Sequence, residues 1–212
     1  MKLRAYAHKH GRVANGAITG AVGFRGLGWA VDRLIPDRFR RSGIQALRNV
    51  PVLYDSWLLY KFPGLWDVNP GNWLQKLGRT TNCSRCVVAT ERVLAGGRAS
   101  AMPYELTAEI TGWDQHMEFM DEFGPNVKLS HAFTNTRDLE TLMEQWGHNS
   151  RVIVSAARKG DIGHFFNAIN LDGIVHFVDG QVGGSVWSMG QFERFTIFRT
   201  DQLGPAPLLP PR

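Results

Sequence analysis

From Asn82 onward the apolar positions Cys83, Cys86, Val87, Val93 and Leu94 recur at helical spacing, and Gly96-Gly97 ends the pattern. The spacing predicts a helix that begins at Cys83 with Asn82 as its N-cap. Trp113, Met117, Met120 and Phe123 predict a second helix stopped by Gly124-Pro125. Leu139, Leu142, Met143 and Trp146 predict a third, capped by Thr136 and ended by Gly147. After residue 150 the period shortens. The stretches 151–156, 164–171, 173–179 and 194–199, rich in Val, Ile and Phe, read as strands, and Asp172-Gly173 is a strong hairpin-turn signal. Helices first and antiparallel strands second predict an α+β fold, with N-terminal helices packed on a C-terminal antiparallel β-sheet.

The region ahead of the cysteine helix is less regular. Residues 42–75 are aromatic-rich and broken by Pro51, Pro63 and Pro70, which predicts short helices and loops. Before them, the Gly-rich apolar run Val13–Phe24 is cut short by Arg25; a bilayer span needs about 20 predominantly apolar residues, so no transmembrane helix is expected. No signal peptide is recognised either. The chain has 212 residues, 43% hydrophobic and 11% aromatic, enough for a sizeable core. Its net charge of +5 is uneven: residues 1–50 hold ten Lys or Arg against Asp32 and Asp37, and the remainder is slightly acidic. These features predict a basic, Gly- and aromatic-rich extension over residues 1–65 ahead of a domain over 66–212. The extension is expected to be solvated, or to contact a partner or an anionic surface. With no recognised binding motif, specific nucleic-acid binding is not expected.

The chemistry converges on the two cysteines. A helix start exposes unpaired N–H groups with partial positive charge, which stabilise a sulfur there as the anion, and the thiolate is the nucleophilic form. Cys83 falls in that first turn and Cys86 one turn deeper on the core-facing stripe, so Cys83 is the expected nucleophile, with Cys86 the alternative. Cys-Ser-Arg-Cys has redox spacing but lacks a thioredoxin-like context. A zinc site lacks a second close-spaced ligand pair, so neither metal nor cofactor is expected. Among the seven histidines, His8 and His10 lie in the extension, and His116, His131 and His148 fall on or beside predicted helices. His164 instead starts a strand. With Asp172-Gly173 as a two-residue loop, Leu171 faces Ile174, Phe166 faces Asp179, and His164 becomes a same-face diagonal neighbour of Asp179. Nucleophile, base and orienting acid are the set that activates a thiol for acyl transfer.

The stretch Gly78-Arg79-Thr80-Thr81-Asn82-Cys83-Ser84-Arg85-Cys86-Val87-Val88-Ala89-Thr90-Glu91, then Leu94-Ala95-Gly96 and Ala99-Ser100-Ala101-Met102-Pro103, resembles the papain-fold toxin domain of bacterial polymorphic toxins. Upstream Val68-Asn69-Pro70-Gly71 and downstream Gly163-His164-Phe165-Phe166-Asn167 and Phe177-Val178-Asp179-Gly180-Gln181 match the same pattern in the same order, over about residues 66–200. The resemblance implies a papain-like fold and a cysteine-dependent glutamine deamidase with the triad Cys83, His164 and Asp179. It does not choose between Cys83 and Cys86. For the oxyanion, the expected donors are the Cys83 backbone N–H at the helix start and an upstream side chain, Gln75 or Asn82, with Gln181 beside the substrate. The implied partners are a protein bearing a reactive glutamine and an immunity or delivery protein. The implied setting is a bacterial effector, delivered or secreted and active in the cytoplasm of a target cell. The same triad serves papain-like peptidases and transglutaminases, and a catalytically silent fold could serve a phage particle or secretion system.

Overall fold

The computed structural model describes residues 17–74, 78–104, 129–186 and 188–202, together with Lys76 and Phe123. Five helices are named here in chain order: α1 (Ala17–Leu34), α2 (Arg40–Leu47), α3 (Pro51–Lys61), α4 (Cys83–Leu94) and α5 (Thr136–Trp146). Six strands, β1 (Leu129–Phe133), β2 (Arg151–Arg158), β3 (Asp161–Leu171), β4 (Ile174–Asp179), β5 (Gly184–Ser185) and β6 (Arg194–Arg199), form one antiparallel sheet in the order β1-β6-β2-β3-β4-β5. The predicted α+β fold, helices on a C-terminal antiparallel sheet, is the one observed. The helix expected around residues 113–123 lies outside the described residues, apart from Phe123.

Alternation along the central strands sorts side chains between two helical layers. Val152 and Val154 of β2, Phe166 and Ala168 of β3 and Ile197 of β6 meet Leu139 and Met143 of α5 on one face. On the other face Ile169 of β3 and Ile174 and Val178 of β4 join Cys86, Ala89, Val93 and Leu94 of α4. Ile153, Phe165 and Phe198 close around Cys83 and Val87. The hairpin between β3 and β4 has the predicted register, Leu171 opposite Ile174. Its loop residues Asp172 and Gly173 have φ of 54° and 79°, the left-handed pair that a tight two-residue turn requires.

From Ala17 to Leu65 the N-terminal segment is packed into the fold rather than solvated throughout. The Gly-rich run continues as helix α1, and Val31 of α1, Ile44 of α2 and Tyr54, Trp57, Leu58 and Leu59 of α3 are buried in the same core as α4 and β4. Pro51 starts α3 at a position where its missing N–H costs nothing. Asp32 secures the layer by accepting hydrogen bonds from Trp57 Nε1 at 2.8 Å, Lys61 Nζ at 3.0 Å and Arg40 Nη2 at 2.8 Å. Burial opposes its charge, yet the bonds from Trp57 and Lys61 and the positive charges around it hold the carboxyl below its ordinary range. Part of the basic surplus is thus spent inside the fold.

Asn135, not Thr136, caps α5: its side chain accepts from the Asp138 N–H at 2.9 Å, and Thr136 is the first helical residue. His131 lies in strand β1, just ahead of helix α5. Strands β1 and β5 were not predicted, the first being polar at its centre and the second only two residues long.

Candidate active site

Helix α4 starts at Cys83 as predicted, but Asn82 at its N-cap position makes no side-chain capping bond. Its carboxamide is engaged elsewhere: Nδ2 donates to Asn69 Oδ1 at 3.1 Å and to the Met102 carbonyl at 3.1 Å. Fully buried and committed to these partners, Asn82 is not a free donor to a substrate, which corrects its expected role. Instead it anchors the loop before the helix. Ser84 and Arg85 extend the anchorage, Ser84 through the Tyr104 hydroxyl and Arg85 by donating to the Pro103 carbonyl at 2.6 Å. The chain that enters the helix is held on several sides.

The structure brings Cys83, His164 and Asp179 together. Asp179 Oδ2 lies 2.8 Å from His164 Nε2, and Cys83 is close enough to help hold the ring's proton. With Nε2 turned to the carboxylate, Nδ1 is the ring nitrogen left for the sulfur. The three residues are 8%, 9% and 6% exposed, so the centre is nearly sealed. The remaining oxygen, Asp179 Oδ1, accepts from the Gln181 backbone N–H at 2.9 Å, which fixes the carboxylate plane. Burial by itself disfavours the imidazolium, but the adjacent Asp179 carboxylate overcomes it through its charge and by accepting the ring's hydrogen bond, with help from Cys83, and His164 is pushed up to about 10. The ring therefore stays protonated at neutral pH.

Cys86 sits in a different environment. It is 1% exposed within the apolar cluster beneath α4, and burial pushes its thiol well up, with the nearby Asp179 charge adding to the effect. It is held as a neutral thiol, the condition of an inert structural sulfur.

The other expected site residues divide. Gln181 stands beside the centre, its carbonyl accepting from Asn69 Nδ2 at 3.0 Å and from Asn72 Nδ2 at 2.7 Å, while its side-chain nitrogen is buried without a hydrogen-bond partner among the described residues. Gln75 lies outside the described residues. His176, passed over in the sequence, is fully buried, its Nδ1 2.6 Å from the Tyr54 hydroxyl. Burial, with the Arg48 charge, lowers it to about 3, so it is a neutral core group. Asn69 and Arg79 take part in a contact network across loops, which has no periodicity to reveal it in the sequence. Among the described residues no group of three or more His, Cys, Asp or Glu is placed to hold a metal ion. Nor is any helix there long and apolar enough to cross a membrane.

Residues 81–184 match the family model described as papain fold toxin 1, glutamine deamidase. No curated protein matches the chain. Among solved structures, a variant of the Salmonella effector SpvD is similar, with 17% identity, a TM-score of 0.46 and coverage of 57% of this chain and 69% of that one. The family match, with helices layered on a six-stranded antiparallel sheet, makes the fold papain-like.

Proposed function

From the match of residues 81–184 to the papain-fold glutamine deamidase family model, we propose that the chain carries a toxin or effector domain and is a cysteine-dependent deamidase converting glutamine side chains of a target protein to glutamate. The observation that carries the proposal is the buried His164–Asp179 pair, with Cys83 at a helix start close enough to bear on the ring's proton.

The Cys83 sulfur, as a thiolate paired with the imidazolium of His164, attacks the carboxamide carbon of the glutamine. The C=O bond opens to an oxyanion. As the first residue of α4, Cys83 has a backbone N–H with no helical partner, and that donor faces the developing charge. One such donor is worth about 10² to 10³ in rate. The C–N bond then breaks, the imidazolium gives its proton to the leaving nitrogen, and ammonia departs from a thioester. His164, now neutral, takes a proton from water. The hydroxide adds to the thioester carbon, the C–S bond breaks, and a glutamate carboxylate remains. Asp179 keeps the ring oriented and compensates its charge throughout. We further propose that delivery places the enzyme in a target cell's cytoplasm, where thiols stay reduced, and that an immunity or delivery protein accompanies it.

The test is proteomic. Cells expressing the wild-type chain are compared with cells expressing Cys83→Ala, and peptides are searched for glutamine-to-glutamate mass shifts. Shifts confined to the wild type are the expected result. Backbone cleavage without such shifts would assign a peptidase, and identical proteomes would remove the enzymatic reading.

A further inference from the structure

We propose that Asn69 is a positioning residue of this centre, holding the loop that delivers Cys83 in register with the turn that holds Asp179; the inference rests on the triad reading above. Asn69 lies upstream of the segment matched by the family model and is 7% exposed. Its carboxamide stands where three stretches of chain meet. Nδ2 donates to the Gln181 carbonyl at 3.0 Å and the Arg79 carbonyl at 2.9 Å, and lies 3.4 Å from Asn82 Oδ1. Oδ1 accepts from Asn82 Nδ2 at 3.1 Å and from Arg79 Nη1 at 3.3 Å.

Each contact leads to a reacting group through one further step. Asn82 is peptide-bonded to Cys83. Gln181 donates its backbone N–H to Asp179 Oδ1, and the other oxygen of that carboxylate holds His164. One side chain therefore ties the sulfur-bearing helix start to the acid that orients the imidazole, two parts of the chain about a hundred residues apart in sequence. Asn72 reinforces the far end by donating to the same Gln181 carbonyl at 2.7 Å. Arg79 and Asn82 brace the near end on the Ala101 and Met102 carbonyls at 2.6 Å and 3.1 Å.

The chemistry of the position explains the residue type. The site requires a planar group that donates two hydrogens on one side and accepts two on the other, and a short carboxamide does so without charge. A carboxylate keeps the acceptor half and loses the donors to Gln181 and Arg79. An alkyl side chain loses both halves and leaves buried partners unpaired. Since reacting atoms must be held near contact distance, a displacement of about 1 Å between sulfur and ring costs about 10² in rate, so a tie remote from the chemistry can govern it.

The experiment uses the full chain and iodoacetamide, with the alkylation rate at Cys83 followed by peptide mass spectrometry from acid to alkaline pH. Wild type, Asn69→Ala, Asn69→Asp and Asn72→Ala are compared, with folding checked by circular dichroism and melting. Wild type is expected to react rapidly at Cys83 through the neutral range, because the imidazolium persists to about pH 10. Folded Asn69→Ala is expected to react at least about tenfold more slowly at neutral pH, yet to converge with wild type in alkali, where any thiol ionises. Asn69→Asp is expected to follow it, and Asn72→Ala to show a smaller loss of the same form. If Asn69→Ala fails to fold, the other two variants decide. Folded variants with the wild-type rate–pH profile would overturn the positioning role while leaving the triad standing. A wild-type Cys83 that reacts no faster than an ordinary thiol would overturn the triad reading and the positioning role together.

Discussion

Cys83 and Cys86 occupy successive turns of one helix, and the turn decides what each sulfur can do. Cys83 meets the His164 ring at the helix start, whereas Cys86 is packed beneath it in apolar surroundings that keep its proton on. Cys83→Ala is accordingly expected to abolish deamidation, while Cys86→Ala retains turnover and loses about 1 kcal/mol of stability in a denaturant titration. The state of His164 sets the pH dependence. Its proton is held to about 10 by the Asp179 carboxylate against the opposing effect of burial, so wild-type activity is expected to fall as pH rises through that value. In Asp179→Asn the compensating charge is gone and burial acts alone. The alkaline limb is then expected below the ordinary 6.5 of histidine, with a loss of about 10² or more in kcat at neutral pH, read from a pH–rate profile. Linkage carries the same sign into folding: the imidazolium's contribution to stability is complete below 6.5 and is lost as pH rises through about 10.

At the scale of elements, the His164–Asp179 pair is a product of one hairpin. Its geometry was legible in the sequence because Asp172-Gly173 imposes a two-residue loop, the loop imposes register, and register sets which side chains share a face. The helix start at Cys83 was equally legible from apolar spacing. Other features were not. Strand β5 is too short to show a period, and helix α1, rich in glycine, owes its form to packing against α3 rather than to propensity. The roles of Asn69 and Asn82 depend on loops that meet only in three dimensions. A related contact joins the hairpin to the nucleophile helix. A Cβ at Gly180 would lie 1.8 Å from Thr90 Oγ1 of α4 and 2.9 Å from Val68 Cγ1, so glycine permits the turn after Asp179 to sit directly on the helix. Gly180→Ala is expected to cost about 1 to 3 kcal/mol in thermal unfolding and to lower kcat about tenfold by forcing that turn outward.

Across the whole molecule, the sheet carries base and acid while helix α4, packed on the sheet in one core with the N-terminal helices, carries the sulfur. Trp57, Leu58 and Leu65 are fully buried against this arrangement, so the N-terminal helices are part of what holds the nucleophile in place. Burying one Trp is worth about 3 to 5 kcal/mol in truncation experiments, a large share of the roughly 5 to 15 kcal/mol that stabilises a domain. A fragment of residues 66–212 is therefore expected to lack a cooperative melting transition in calorimetry, and restoring the preceding helices is expected to recover it. The sequence concealed this dependence, since basic charge and glycine read as a solvated arm, while the aromatic residues that bury it carry no clear period. The nearly sealed ring of His164 has one more consequence. The hydrogen between its Nε2 and the Asp179 carboxylate, 2.8 Å apart, is screened from bulk water, and such a shared hydrogen gives an isolated, far-downfield line in a proton magnetic resonance spectrum. That line would act as a beacon for the assembled centre, visible without any substrate and extinguished when the layers separate.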